Sequence, residues 1–148
     1  MATIRGGTKF ENALAVLAAK LAKPRTLRVG FLEGATYPNG KSVALIAAIQ
    51  NFGAPRANIP PRPFFSNMVA KKSPQWPSGL ARQLKATGND VDAALALTGE
   101  AIRGQLQQEI RETNAPPLSP VTIARKGFDK PLIHTSNMIN SVAYEIRR

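Results

Sequence analysis

The stretch Ala35-Thr36-Tyr37-Pro38-Asn39-Gly40-Lys41-Ser42 carries the residue types of a phosphate-binding loop. Such a loop presents backbone amides to phosphate oxygens, sets a lysine on the outer phosphates and a hydroxyl on magnesium. It belongs between a strand and a helix, which is where this stretch falls in the pattern read below. Three features weigh against it. Ala35 replaces the first glycine, Pro38 removes an amide, and no later apolar strand ends in a metal-binding aspartate. A Pro-Asn-Gly turn followed by a serine cap accounts for the same residues. A small nucleotide-binding protein using Lys41 and Ser42 stands as an alternative.

Other catalytic chemistry lacks parts. The chain has no cysteine and one histidine, His134, so thiol catalysis, disulfides and cysteine-ligated metals are out, and a histidine metal site would lack companions. No Gly-x-Ser-x-Gly elbow supports a serine–histidine–acid triad. His134 reads as the residue ahead of a Thr135 cap. The expectation is a protein that is not an enzyme, with no catalytic residue, no cofactor and no metal.

Charge points instead to a partner. The net charge is +11, and residues 1–88 hold thirteen bases against Glu11 and Glu33, while residues 89–148 balance seven bases with seven acids. That asymmetry predicts one strongly positive side facing a polyanion or an acidic protein surface. Arg56, Arg62, Lys71, Lys72, Arg82 and Lys85 are interleaved with Phe64, Phe65 and Trp76, a composition suited to stacking single-stranded bases. A basic nucleic-acid-binding module is therefore a second alternative. The two phenylalanines read equally as core anchors, and no known module is spelled out, so sequence-specific readout is not expected.

The elements that must position these residues follow from periodicity. Thr8 and Glu11 form a capping box, and Phe10, Ala13, Leu14, Leu17, Ala18 and Leu21 lie on one face of a helix that ends at Pro24 and should pack on something. Leu27, Val29 and Phe31 alternate as the buried face of a strand over 26–32. Ser42 caps a short helix through Val43, Ile46 and Ile49, stopped by Gly53. Prolines 55, 60, 61 and 63 exclude helix and central strand from 54–63 and predict a stiff extended arm. An apolar pattern resumes at Phe64 and breaks again over Ser73–Gly79. Asn89 caps a long helix running to about Glu112, on the order of 34 Å, with Val91, Leu95, Ile102, Leu106 and Ile110 in one stripe. Gly99 and Gly104 fit there if they admit another backbone. Ser119-Pro120 opens a further helix stopped by Gly127, and Val142, Tyr144 and Ile146 alternate in a second strand.

One domain over 1–148 is expected, of the α+β class: a small, mainly antiparallel sheet packed against a long central helix, with an N-terminal helix and an extended proline-rich arm. No stretch approaches the ~20 apolar residues of a membrane span, and the N-terminus lacks a signal peptide pattern. Synthesis and use in the cytoplasm are expected.

Two blocks resemble a known family. Val43-Ala44-x-Ile46-Ala47 running into Asn51-Phe52-Gly53 and Ile59-Pro60-Pro61-Arg62-Pro63-Phe64-Phe65 is similar to the signature of the tail-completion and head–tail joining proteins of tailed bacteriophages. Leu118-Ser119-Pro120-x-Thr122, Lys126-Gly127, Pro131-Leu132-Ile133-x-Thr135 and Asn140-Ser141-Val142-x-Tyr144 resemble that family's second block, in the same order. Together they span a little over a third of the chain. Ser136 stands where the family usually has glycine, and Asn51 where an acidic residue is common.

The resemblance implies a virion structural protein of the neck or tail, assembled in the host cytoplasm. It would be a hexameric ring that joins tail to head, touching neck, connector and tail tube proteins and passing genomic DNA without sequence specificity. Ile59, Pro60, Pro61, Arg62, Pro63, Phe64 and Phe65 would form the subunit interface. Arg25, Arg28, Lys41, Arg56, Lys71 and Lys72 would face DNA or an acidic partner.

Overall fold

Two strands from opposite ends of the chain meet in the computed structural model, which describes residues 7–113 and 137–148. The order is α1 (Gly7–Leu21), β1 (Thr26–Phe31), α2 (Val43–Phe52), α3 (Phe64–Lys72), α4 (Trp76–Ala86), α5 (Val91–Glu112), a short α6 (Asn137–Asn140) and β2 (Val142–Arg147). Single 310 turns stand at Pro55–Ala57 and Ser73–Gln75. The β1 and β2 strands pair antiparallel, with Thr26 opposite Arg147 and Phe31 opposite Val142. Helix α5 packs on both strands and on α3 and α4. The α+β class, the small antiparallel sheet and the long helix against it are as the sequence implies. The helix expected after Ser119-Pro120 lies outside the described residues.

The long helix owes its start to Asp90, whose Oδ1 accepts from the Ala93 amide at 3.0 Å. That corrects the expectation for Asn89, which takes a left-handed φ of 63° and turns the chain into the cap instead. The buried stripe of α5 includes Leu95, Ile102, Leu106 and Ile110, as periodicity requires, and adds Ala94, Thr98 and Gly99. Two polar bonds fix the C-terminal elements to it. Arg103 Nε donates to the Val142 carbonyl at 2.9 Å, and Gln107 Nε2 to the Ile139 carbonyl at 3.0 Å.

Ala47, Phe64, Met68, Ile102, Leu106, Ile110, Met138, Ile139 and Val142 make one buried cluster. Phe31 meets Phe64 edge to face, with ring centroids 6.1 Å apart. Full burial of Phe64 alone contributes about 2–3 kcal/mol. Helix α4 was hidden by Pro74, Pro77 and Gly79, which read as breakers. Pro77 sits in the first turn, where the missing amide has no helical acceptor to lose. Trp76 holds this helix to α5, donating from Nε1 to Gln105 Oε1 at 2.9 Å.

One expectation needs correction. Residues 54–63 are not an extended arm. The Ala54 amide donates to the Ile59 carbonyl at 2.9 Å across the 310 turn, folding the segment back on itself. A Cβ on Gly53, at φ 76°, would stand 2.9 Å from the Ile59 carbonyl oxygen and the Pro61 nitrogen, so the close return needs glycine. Prolines restrict the chain without requiring it to be straight. The α1 helix (Gly7–Leu21) opens the described residues and buries none of its own. Its apolar face, expected to pack on something, is largely uncovered and borders a shallow hollow with Gly88 and Asn89.

Candidate assembly surface

The 35–42 loop forms a tight hairpin, with Thr36 bridged to Ser42. Its amides point inward. The Tyr37 amide donates to the Lys41 carbonyl (2.9 Å), Gly40 to the Tyr37 carbonyl (2.9 Å) and Val43 to the Ala35 carbonyl (3.0 Å). Asn39 Oδ1 accepts from the Lys41 amide at 3.1 Å, and Ser42 Oγ from the Leu45 amide at 3.3 Å as the cap of α2. A phosphate cradle needs such amides free and convergent; here they close the turn.

The segment 59–65 divides between surface and core. Pro60 and Pro61 are exposed and Ile59 and Pro63 half-buried. Arg62 retains only 6% of its exposure and Phe64 none. The Arg62 amide donates to the Gln50 carbonyl at 2.7 Å, its Nη1 to Gln50 Oε1 at 3.3 Å, and burial lowers its pKa. The Phe65 amide donates to Asn51 Oδ1 at 3.0 Å, and its half-buried ring packs against the core. Arg62 and Phe64 are thus buried in the chain's own interior, and Phe65 is half-buried against it, while Pro60 and Pro61 stay at the surface. The side chains after a stiff proline run are drawn inward because an apolar side chain gains more from burial than the short backbone return costs.

Asn51 organises this junction. Its Oδ1 accepts from both the Phe65 and Ser66 amides, at 3.0 and 3.1 Å, while its Nδ2 donates to Ser66 Oγ at 2.9 Å. Two amides at the start of α3 thus converge on one acceptor. An acidic residue would satisfy both amides equally, and the position favours negative charge.

The charge asymmetry along the sequence is partly cancelled in space. Arg25 Nε meets Asp92 at 2.9 Å, Arg28 meets Glu145 at 3.0 Å, and Lys71 meets the mostly buried Glu109 at 2.7 Å. Bases of the N-terminal part find acids of the C-terminal part, because β1 pairs with β2 and α3 lies on α5. Of the six cations expected to face a partner, Arg25, Arg28 and Lys71 are engaged within the chain. Among the described residues Lys41, Arg56 and Lys72 have no ion pair.

Apolar surface is the feature that sequence reading missed. Leu45 and Phe52 of α2 are 59% and 74% exposed, and α1 exposes Phe10, Leu14, Val16 and Leu21 by about half or more. Helix α2 is apolar on both its inner and outer sides until Gln50 and Asn51 near its end: Val43, Ala47 and Asn51 face the core, while Leu45, Ala48 and Phe52 face out. A helix apolar on two sides signals burial on both, and that signal was present in Val43–Phe52. Beside the outer face lies a cavity of about 330 Å3, walled by Phe31, Ala44, Ala48, Phe52 and Phe65 among others.

Among the described residues no group of His, Asp and Glu could hold a metal ion, and no helix is long and apolar enough to cross a membrane. No family model, curated protein or solved structure matches the chain.

Proposed function

We propose that the protein is a structural subunit of a tailed-bacteriophage virion. Copies form a homo-oligomeric, hexameric ring at the head–tail junction, as a tail-completion or neck component that joins the tail to the head. The observation that carries this reading is a contact between the first resembling block and Asn140–Tyr144, the part of the second block that lies among the described residues. Ala47 and Phe64 of the first share a core cluster with Val142 of the second, although more than half of the chain length separates them.

Two further features support it. A chain that leaves large apolar side chains uncovered on two helices is built to be covered by protein. Lys41, Arg56 and Lys72 remain to face genomic DNA in the channel or an acidic neighbouring ring, through charge and without base readout. Neighbouring connector proteins and the tail tube protein are the remaining partners in this reading. The test is genetic. A nonsense mutation in this reading frame of the phage yields separate full heads and tails by electron microscopy; joined infectious particles without the protein contradict the proposal.

A further inference from the structure

From the uncovered apolar faces we infer that α1 of one copy docks on the outer face of α2 of the next copy, with its Phe10–Leu14 side entering the cavity beside Phe52. The inference rests on the ring reading and names the contact that builds the ring.

The two faces sit at opposite ends of one strand. Arg25, just after α1, is tied to Asp92 at the start of α5, and apolar residues of α1 share a shallow hollow with Gly88 and Asn89. The α2 cavity instead runs along β1 from Arg28 to Leu32, past the strand's far end. The strand has six residues, so the ends are about 20 Å apart. Two different apolar surfaces at opposite ends of one molecule suit a head-to-tail contact, which closes into rings or runs on into filaments. A contact of each face with its own kind would leave the other uncovered.

Shape and charge agree. The α1 stripe projects side chains, and the α2 face offers a hollow of about 330 Å3, room for on the order of ten waters at ~30 Å3 each, against largely apolar walls. Apolar side chains are the better occupant. Copies of net charge +11 repel one another, so self-association must use uncharged surface. Val43–Phe52 contains no ionisable side chain, and the α1 stripe of Phe10, Leu14, Leu17 and Leu21 is flanked by Lys9 and Lys20 without including them.

A fifteen-residue helix that buries nothing is marginal in water by itself, so the docked neighbour also holds α1 in shape. An acidic partner would engage the free cations rather than these faces. An anionic lipid surface would account for α1 but leave the α2 hollow unexplained.

The test uses two surface variants of the full chain, Leu14→Asp on α1 and Phe52→Asp on α2, followed by analytical ultracentrifugation, with circular dichroism to confirm folding. Wild type sediments as an oligomer, and each variant alone as a monomer. An equimolar mixture gives a two-chain species, because one intact α1 can meet one intact α2 and the chain stops there. If wild type and both variants assemble alike, the ring survives and this contact is wrong. If the mixture yields no two-chain species while Phe52→Asp still self-associates, α1 pairs with itself, which also overturns it. Wild type that floats with phosphatidylglycerol vesicles, where Leu14→Asp does not, makes lipid the occupant. Wild type monomeric at every concentration removes the ring reading together with the docking.

Discussion

Tyr144 fills the space that a side chain on Gly99 would need. A Cβ there would lie 2.7 Å from Cγ and Cδ2 of the ring, and 3.0 Å from Leu27 Cδ1. The glycine lets β1 and β2 close onto α5 at one point, so the sheet and its long helix share a single layer of contact. Gly99→Ala therefore lowers stability by about 1–3 kcal/mol in urea or thermal unfolding, as overpacking of a filled interior does. Gly104, five residues on, has open space around its missing Cβ. Gly104→Ala raises stability by up to ~1 kcal/mol, the helix-propensity difference.

Asn51 gives a test of polar burial. Asn51→Ala leaves the Phe65 and Ser66 amides without their acceptor and costs about 1–3 kcal/mol. Asn51→Asp keeps both acceptor bonds, and the Ser66 hydroxyl can donate to the new carboxylate. It stays within ~1 kcal/mol of wild type at neutral pH and loses ground on acidification, when the carboxylate is protonated. Equal losses for both variants would mean that shape, and not hydrogen bonding, fixes the junction.

Much of the fold was legible from periodicity because each legible element has one apolar face. Leu27, Val29 and Phe31 alternated into a strand, and Leu95, Ile102, Leu106 and Ile110 marked α5. What stayed hidden has physical reasons. Pro77 in a first turn looks like a breaker but is compatible with helix, so α4 was missed. Four prolines between 54 and 63 restrict the backbone yet permit a return, and the amide of Ala54 uses that freedom. Cation segregation along the chain is partly offset by strand pairing, since sequence distance says nothing about which acid β2 brings beside Arg28. The assembly surface was partly visible in the largely apolar α2, but such a helix does not say which side the core will take.

The burial of Phe64 beside exposed Pro61 lets folding be tested apart from assembly. Phe64→Ala costs the monomer about 3–5 kcal/mol by opening a cavity beneath α3, measured by chemical denaturation at a concentration where copies are dissociated. Pro61→Ala, at an exposed site, changes stability by less than ~0.5 kcal/mol. A Phe64→Ala monomer as stable as wild type would leave Phe64 to the interface.

Asp92 supplies a pH dependence. The Arg25 hydrogen bond, reinforced by the charges of Arg25 and Arg148, holds its carboxyl below the usual carboxylate range. The folded form keeps its charge to lower pH than the unfolded chain does, so the stabilisation is complete above pH ~4 and is lost as pH falls through the folded value. Asp92→Asn removes it. The gap in Tm between wild type and Asp92→Asn is therefore widest near neutrality and narrows toward pH ~2. A constant gap would show that the asparagine acts through something other than ionisation.

The central claim is position in the virion, and labelling this subunit in purified particles tests it most directly. Gold-tagged antibody viewed by electron microscopy should mark one site per particle, between head and tail. Label spread over the capsid, or particles that carry none of the protein, would contradict the account.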